Sequence, residues 1–202
     1  MFSEHNITGA DVIIFGSGPS LLEWNDTGRE DSIRCTCNSV IFSNIVKQVD
    51  YYFIQDTGCK TSSRRTEEGN GYCAKKIQYD EFTPNIKKFY GIGVNGQKKK
   101  WSLSLKDVVD GGAESYYLYT GPIDSPKKIA KMESVVFTMV QFVVKNGCRS
   151  VKFVGCDGTK GERFNEARLQ PSESDIKTLA IWNRQWQLIY KFLDNHHVHW
   201  CR

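Results

Sequence analysis

The sequence lacks several of the signals by which a function is most readily read. No segment approaches the roughly 20 apolar residues of a membrane span, so no spanning helix is expected. The first residues carry no basic region followed by an apolar run, which argues against a secretory leader and for a cytoplasmic protein. Charge of one sign is not in large excess: 27 Lys+Arg against 23 Asp+Glu give a net charge of +4. That is short of the clustered basic excess of a nucleic-acid binder and better suited to a cleft for a small anion. There is no C-x-x-C pair, and Cys35-x-Cys37 is poor spacing for two ligands of one zinc ion. Seven cysteines, an odd number, in a chain that alternates strand and helix suggest a reducing compartment. His196, His197 and His199 have no acidic partner at a ligating spacing, so no metal site and no resident cofactor are expected. Repeats and low-complexity tracts are absent as well.

What is present is the pattern of an α/β chain. With 202 residues and 40% apolar content, residues 1–202 are expected to form a single domain around one core. Asp11–Phe15, Ile33–Cys37 and Asp50–Ile54 read as buried strands, with short helical stretches near 19–24 and 41–47. This is the opening of a mainly parallel, Rossmann-like α/β/α sheet. Residues 56–76 are polar and rich in Gly and Ser, and read as a long surface loop or lid. Strand-like pieces at Lys88–Tyr90 and Ser115–Thr120 flank an irregular stretch at 91–112. Ile129, Met132, Val136, Met139, Val140 and Val143 recur at three and four, predicting one long amphipathic helix from Ser125-Pro126 to Gly147. A strand in "RSVKFVG", a helix over Ser174–Leu193 and a last strand in "VHWC" complete the series. Trp182 and Trp186, four apart, have core spacing rather than that of a stacking platform.

The stretch "DVIIFGSGPSLLEW" (11–24) carries the first functional signal. Gly16 suits a tight turn off the strand, Gly18 would let a ligand approach the backbone, and Pro19 suits a first helical position. The unpaired N–H groups of such a helix start favour a phosphate. The dinucleotide fingerprint fails where Leu21 replaces a third glycine, and the P-loop fails for want of Gly-Lys-Ser/Thr. A plain strand-to-helix turn is the alternative. Asp157 lies between Gly155 and Gly158 at a strand end, where open α/β sheets place ligands. Asn38 reads equally as a turn residue or as a ligand contact.

Taken together, "GSGPSL", "CNSVIF", "YYFIQD" and "GCRSVKFVGCD" resemble the small bacterial sialyltransferases and a related domain. That domain is shared by flagellin glycosyltransferases and a pterin pyrophosphokinase. The resemblance covers both ends of the chain and skips its middle. It implies that Gly16, Ser17, Gly18 and Ser20, in the position of G-N-G-P-S-L, bind the nucleotide of the donor. Asn38 takes the place of the asparagine in R-C-N, and Gln55 that of a polar residue after the third strand. Glu133 and Ser134 fall near a T-S-G helix start; Gly155, Cys156 and Asp157 take the place of G-I-D, and Asp175, Ile176 and Lys177 that of D-I-K. The chain departs from the pattern in two places. The tyrosines that hold the leaving phosphate are replaced by "GTKGERF", leaving Thr159, Lys160 or Arg163 as donors, and the catalytic histidine is replaced by Gln170.

The expected function is therefore a glycosyltransferase that takes a nucleotide sugar and a glycan-type or other hydroxyl acceptor. The absence of Asp-x-Asp points to metal independence. Asp157 is the preferred general base over a ribose-binding role, and Glu173 is the other acid nominated. A pyrophosphokinase-like diphosphotransferase needing Mg²⁺ and ATP is the alternative enzyme, and a non-catalytic nucleotide-binding domain is the third reading. Sugar, acceptor, linkage and oligomeric state are left open.

Overall fold

The computed structural model describes residues 6–26, 31–37, 40, 43, 45–54, 87–94, 97–98, 113–126, 128–158 and 173–202. In chain order the elements are β1 (Asp11–Phe15), a 3-10 turn at Pro19–Glu23, β2 (Ile33–Cys37), β3 (Tyr51–Ile54), β4 (Lys87–Val94), β5 (Gln97–Lys98) and β6 (Ala113–Tyr119). There follow β7 (Ile129–Ala130), α1 (Val135–Lys145), β8 (Ser150–Val154), α2 (Glu173–Asn195) and β9 (His199–Cys201). The strands form one sheet in the order β7-β6-β4-β3-β2-β1-β8-β9, with β5 beside β4. Every pairing along that order is parallel, and among the described strands only β4–β5 is antiparallel. The expected mainly parallel α/β sheet is thus what the chain forms.

Alternation along the strands divides the core between two faces. Val12, Ile14, Cys35, Cys37, Val151 and Phe153 look toward α1 and α2, while Ile13, Phe15 and Val154 pack with Leu21, Val40 and Val46 on the other face. The first face is the more deeply covered. Val135 through Val144 are all buried, which follows from a helix that is apolar except for Thr138 and Gln141 and packs against both the sheet and α2.

Three expectations are corrected here. The long helix from Ser125 is only α1: Ile129–Ala130 instead pairs with Leu118–Tyr119 as β7. The break is set by Ser134, which has extended backbone and accepts a hydrogen bond from Val136 N–H through its side chain, a cap worth about 1 kcal/mol. The three-and-four spacing arose because Ile129 and Met132 are buried in the same core from a strand and a connection. Residues 91–94 and 97–98, assigned to an irregular stretch, belong to β4 and β5. The short helix near 19–24 does form, as a 3-10 helix at Pro19–Glu23, whereas the described residues among 41–47 lie in no helix. The proposed lid at 56–76 lies outside the described residues.

Gln141 shows how so short a strand as β7 is held. Its fully buried amide donates to Ala130 O at 3.1 Å and accepts from Ala130 N–H at 2.7 Å, supplying the bonds that a neighbouring strand would supply.

Candidate functional site

In this sheet the chain runs outward from β1 through β2, β3, β4, β6 and β7, then returns to the other side of β1 as β8 and β9. The order therefore reverses at β1, between β2 and β8. At such a reversal the connections leave toward opposite faces, and open α/β sheets bind ligands at the carboxyl ends of those strands. The segment after β1 does turn to the Phe15–Leu21 face, while α2, after β8, covers the Val12–Ile14 face. The two loops singled out in the sequence, Gly16–Ser20 and Gly155–Gly158, are the two that meet at this point.

Their geometry is an interlock. Gly16 N–H donates to Val154 O at 2.8 Å, and Gly18 N–H to Gly155 O at 2.6 Å. Gly155 N–H donates to Ser20 Oγ at 3.1 Å, and Ser20 N–H to Asp157 Oδ2 at 3.0 Å. Glycine is required because the loops touch through backbone. A Cβ on Gly18 would run into Asp157 Oδ2 and stand 2.8 Å from Gly155 O, and one on Gly16 would meet Gly155 O and stand 2.8 Å from Cys156 Sγ. Gly155 itself has φ +64°, the left-handed region that disfavours side chains.

This changes what the G-S-G-P-S sequence means. The amides expected to face a phosphate are engaged within the protein: Gly16 by the end of β8, Gly18 and Ser20 by the second loop, and Leu21 N–H by Gly18 O at 3.1 Å. Pro19 has no N–H, and no described residue accepts from Ser17 N–H. The turn that follows is a five-residue 3-10 helix, not the start of an α-helix with a macrodipole. The space beside Gly18 that was assigned to a ligand is occupied by Asp157. These loops form a rigid floor at the reversal point, fixed by side chains and amides from positions 137 residues apart.

The remaining expected residues divide as follows. Asp157 is half-buried, with one carboxylate oxygen committed to Ser20 N–H. Ser134 starts α1 and is engaged as its cap, and exposed Glu133 donates its N–H to Gln185 Oε1 at 3.0 Å. Glu173 is the first residue of α2. Since the strands run parallel and α1 and α2 each follow a strand, both helix starts share the carboxyl edge with the interlocked loops. Asn38, Gln55, Thr159, Lys160, Arg163 and Gln170 lie outside the described residues. The Cys156 thiol is pushed up to about 12, first by burial, and stays protonated beside the floor. Among the described residues no group of three or more His, Cys, Asp or Glu is arranged to hold a metal ion.

One flank of the site was not anticipated. Trp186, edge-on to Phe137 and Phe153, is stacked on Tyr190 at 5.4 Å, and Tyr190 on Trp200 at 4.3 Å. Core spacing is right for Trp186, yet it also begins an aromatic ladder that ends at exposed Trp200. Arg202, just beyond β9, lies across this ladder. Its guanidinium carbon is 5.0 Å from the Trp186 ring centre, Nη2 donates to Cys156 O at 2.6 Å and Nη1 to Tyr190 OH at 3.2 Å. The available signal was "VHWCR": a last strand parallel to its neighbour delivers the following residue to the carboxyl edge.

No protein-family model and no curated protein matches the chain. Among solved structures it is similar to the crystal structure of the monofunctional alpha-2,3-sialyltransferase Cst-I from Campylobacter jejuni. The two share 15% sequence identity and a TM-score of 0.45, over 93% of this chain and 78% of that chain.

Proposed function

We propose that the chain is a glycosyltransferase that binds a nucleotide-activated sugar against the floor formed by Gly16–Ser20 and Gly155–Gly158, without a divalent ion. The observation that carries this reading is the meeting of those two loops at the reversal of strand order. It is the position at which parallel α/β sheets take nucleotides, and both loops also carry the sequence resemblance to sialyltransferases. In the transfer, the acceptor hydroxyl oxygen bonds to the anomeric carbon as the bond from that carbon to the phosphate oxygen breaks. The nucleotide leaves with the electron pair, and a carboxylate takes the hydroxyl proton. Asp157 and Glu173 are the proposed acids at this edge. With Oδ2 of Asp157 engaged by Ser20, its other oxygen must receive the proton if Asp157 is the base.

Thermal-shift titration with CMP, UDP, GDP and ATP, with Mg²⁺ or with EDTA, followed by a donor-hydrolysis assay, tests the proposal. Stabilisation by a pyrimidine or guanine nucleotide and hydrolysis that persists in EDTA are expected. Activity lost in EDTA and restored by Mg²⁺ with ATP would replace the reading with a diphosphotransferase. Nucleotide binding without turnover of any donor would replace it with a binding domain.

A further inference from the structure

We propose that Arg202 is the anion-holding residue of this site, its guanidinium receiving phosphate oxygens of a phosphorylated ligand beside the Gly155–Gly158 loop. That the phosphate belongs to a nucleotide sugar rests on the reading above; that Arg202 holds a phosphate does not.

Placement comes first. β9 pairs in parallel with β8 through Ser150–His199, Val151–Trp200 and Lys152–Cys201, so Arg202 emerges at the same edge as the floor. There it reaches the second loop directly through Cys156 O, and a Cβ on Gly158 would lie 3.5 Å from its Nη2. Orientation is fixed next. The Trp186 face, the Tyr190 hydroxyl and the Cys156 carbonyl hold the planar group from three sides, although the residue is exposed. A guanidinium offers five N–H donors in a rigid fork that suits phosphate, and described residues engage two of them.

Charge completes the argument. Arg34 pairs with Asp26 and Arg149 with Asp11, and no described carboxylate pairs with Arg202. The nearby Asp157 carboxylate is turned to Ser20 N–H instead. An oriented cation with no counter-ion among the described residues, at the edge where this fold takes ligands, is the feature an anionic group requires. The need is greater because the first loop's amides are consumed by the interlock, so the floor supplies few donors of its own.

The test is a titration of wild-type, Arg202→Gln and Arg202→Lys proteins with inorganic pyrophosphate, CMP and UDP, followed by tryptophan fluorescence, with melting temperatures as the check on folding. Arg202→Gln should weaken pyrophosphate and nucleotide binding by roughly 10- to 100-fold, the range for a charge-assisted hydrogen bond, and Arg202→Lys by less. Equal affinity of wild-type and Arg202→Gln proteins overturns the inference and leaves the donor-site reading standing. Pyrophosphate binding that depends on Arg202, with no nucleotide or nucleotide sugar bound, upholds the inference and removes the donor-site reading. Failure of wild-type protein to bind any of them overturns both. Should Arg202→Gln not fold, phenylglyoxal labelling of wild-type protein decides: pyrophosphate protects Arg202 if the inference holds, and unprotected labelling overturns it.

Discussion

Replacing Gly155 by alanine should be among the most damaging single-methyl changes in the protein. Two costs combine at this position. The backbone at φ +64° disfavours a side chain by about 1–2 kcal/mol. The new Cβ also collides with Gly16 O and lies 2.9 Å from Leu21 Cβ, the kind of overpacking that costs about 1–3 kcal/mol. The sum, roughly 2–5 kcal/mol, corresponds to a fall in Tm of about 4–20 °C for a chain of this size. Gly9 supplies the control, because it has φ +73° but nothing within 4 Å of a Cβ. Gly9→Ala should therefore lose only the conformational part, about 1–2 kcal/mol. Thermal melts of the two variants side by side measure the interlock alone. If Gly155→Ala melts no lower than Gly9→Ala, the two loops do not form the rigid floor described above.

Gln141→Leu should destabilise by about 1–3 kcal/mol in urea titration, because Ala130 N–H and C=O lose their partners inside the core. Among the five described cysteines, Cys201 is exposed and should react with iodoacetamide in the native protein. Cys35, Cys37, Cys148 and Cys156 are buried and should label only after unfolding, as mass spectrometry of labelled peptides would show. Burial pushes the Cys35 thiol well up and the Cys148 thiol up to about 12, which reinforces that protection. Hydrogen bonds from Arg149 and Ser150 hold the Asp11 carboxyl down at about 2 from 3.8, so its contribution is present above pH 3.8 and is lost as pH falls through 2. Asp11→Asn should thus lower stability at pH 7 by at most about 1 kcal/mol, because the pair is exposed, and should match wild type below pH 2. Kinetics divide the two acids of the site: the base, when replaced by its amide, loses kcat by roughly 10²–10⁴-fold, with donor affinity little changed. Full kcat in Asp157→Asn together with its loss in Glu173→Gln would assign the proton to Glu173.

The strands nearest the reversal point were legible because they announce themselves locally. Val12–Phe15 is a short apolar run, Ile33–Cys37 alternates apolar with polar residues, and α2 shows helical periodicity over about five turns. Where α1 begins was not legible, since Ile129 and Met132 are buried for reasons that lie in β6 and in the same core, while periodicity registers only that they are buried. The close approach at Gly16 and Gly18 was legible, but not what makes it. Glycines at 16 and 18 do mark a close approach, and a sequence pattern cannot say whether a ligand or another loop makes it. Here the partner is Gly155–Asp157, brought near by the pairing of β1 with β8. Arg202 escaped notice for a similar reason, its environment being assembled from α2, β9 and the loop after β8.

The central claim, that a nucleotide binds at the carboxyl edge over the two interlocked loops, is tested most directly by amide NMR of glycine-labelled protein during titration with CMP, UDP, GDP or ATP. Gly9 and Gly147 adjoin each other at the opposite edge, Gly9 N–H donating to Gly147 O at 2.8 Å, and serve as internal references. The account expects the Gly16, Gly18, Gly155 and Gly158 signals to move with the added nucleotide while those of Gly9 and Gly147 stay in place. Saturable binding that shifts Gly9 and Gly147 and leaves the four loop glycines unmoved would contradict it.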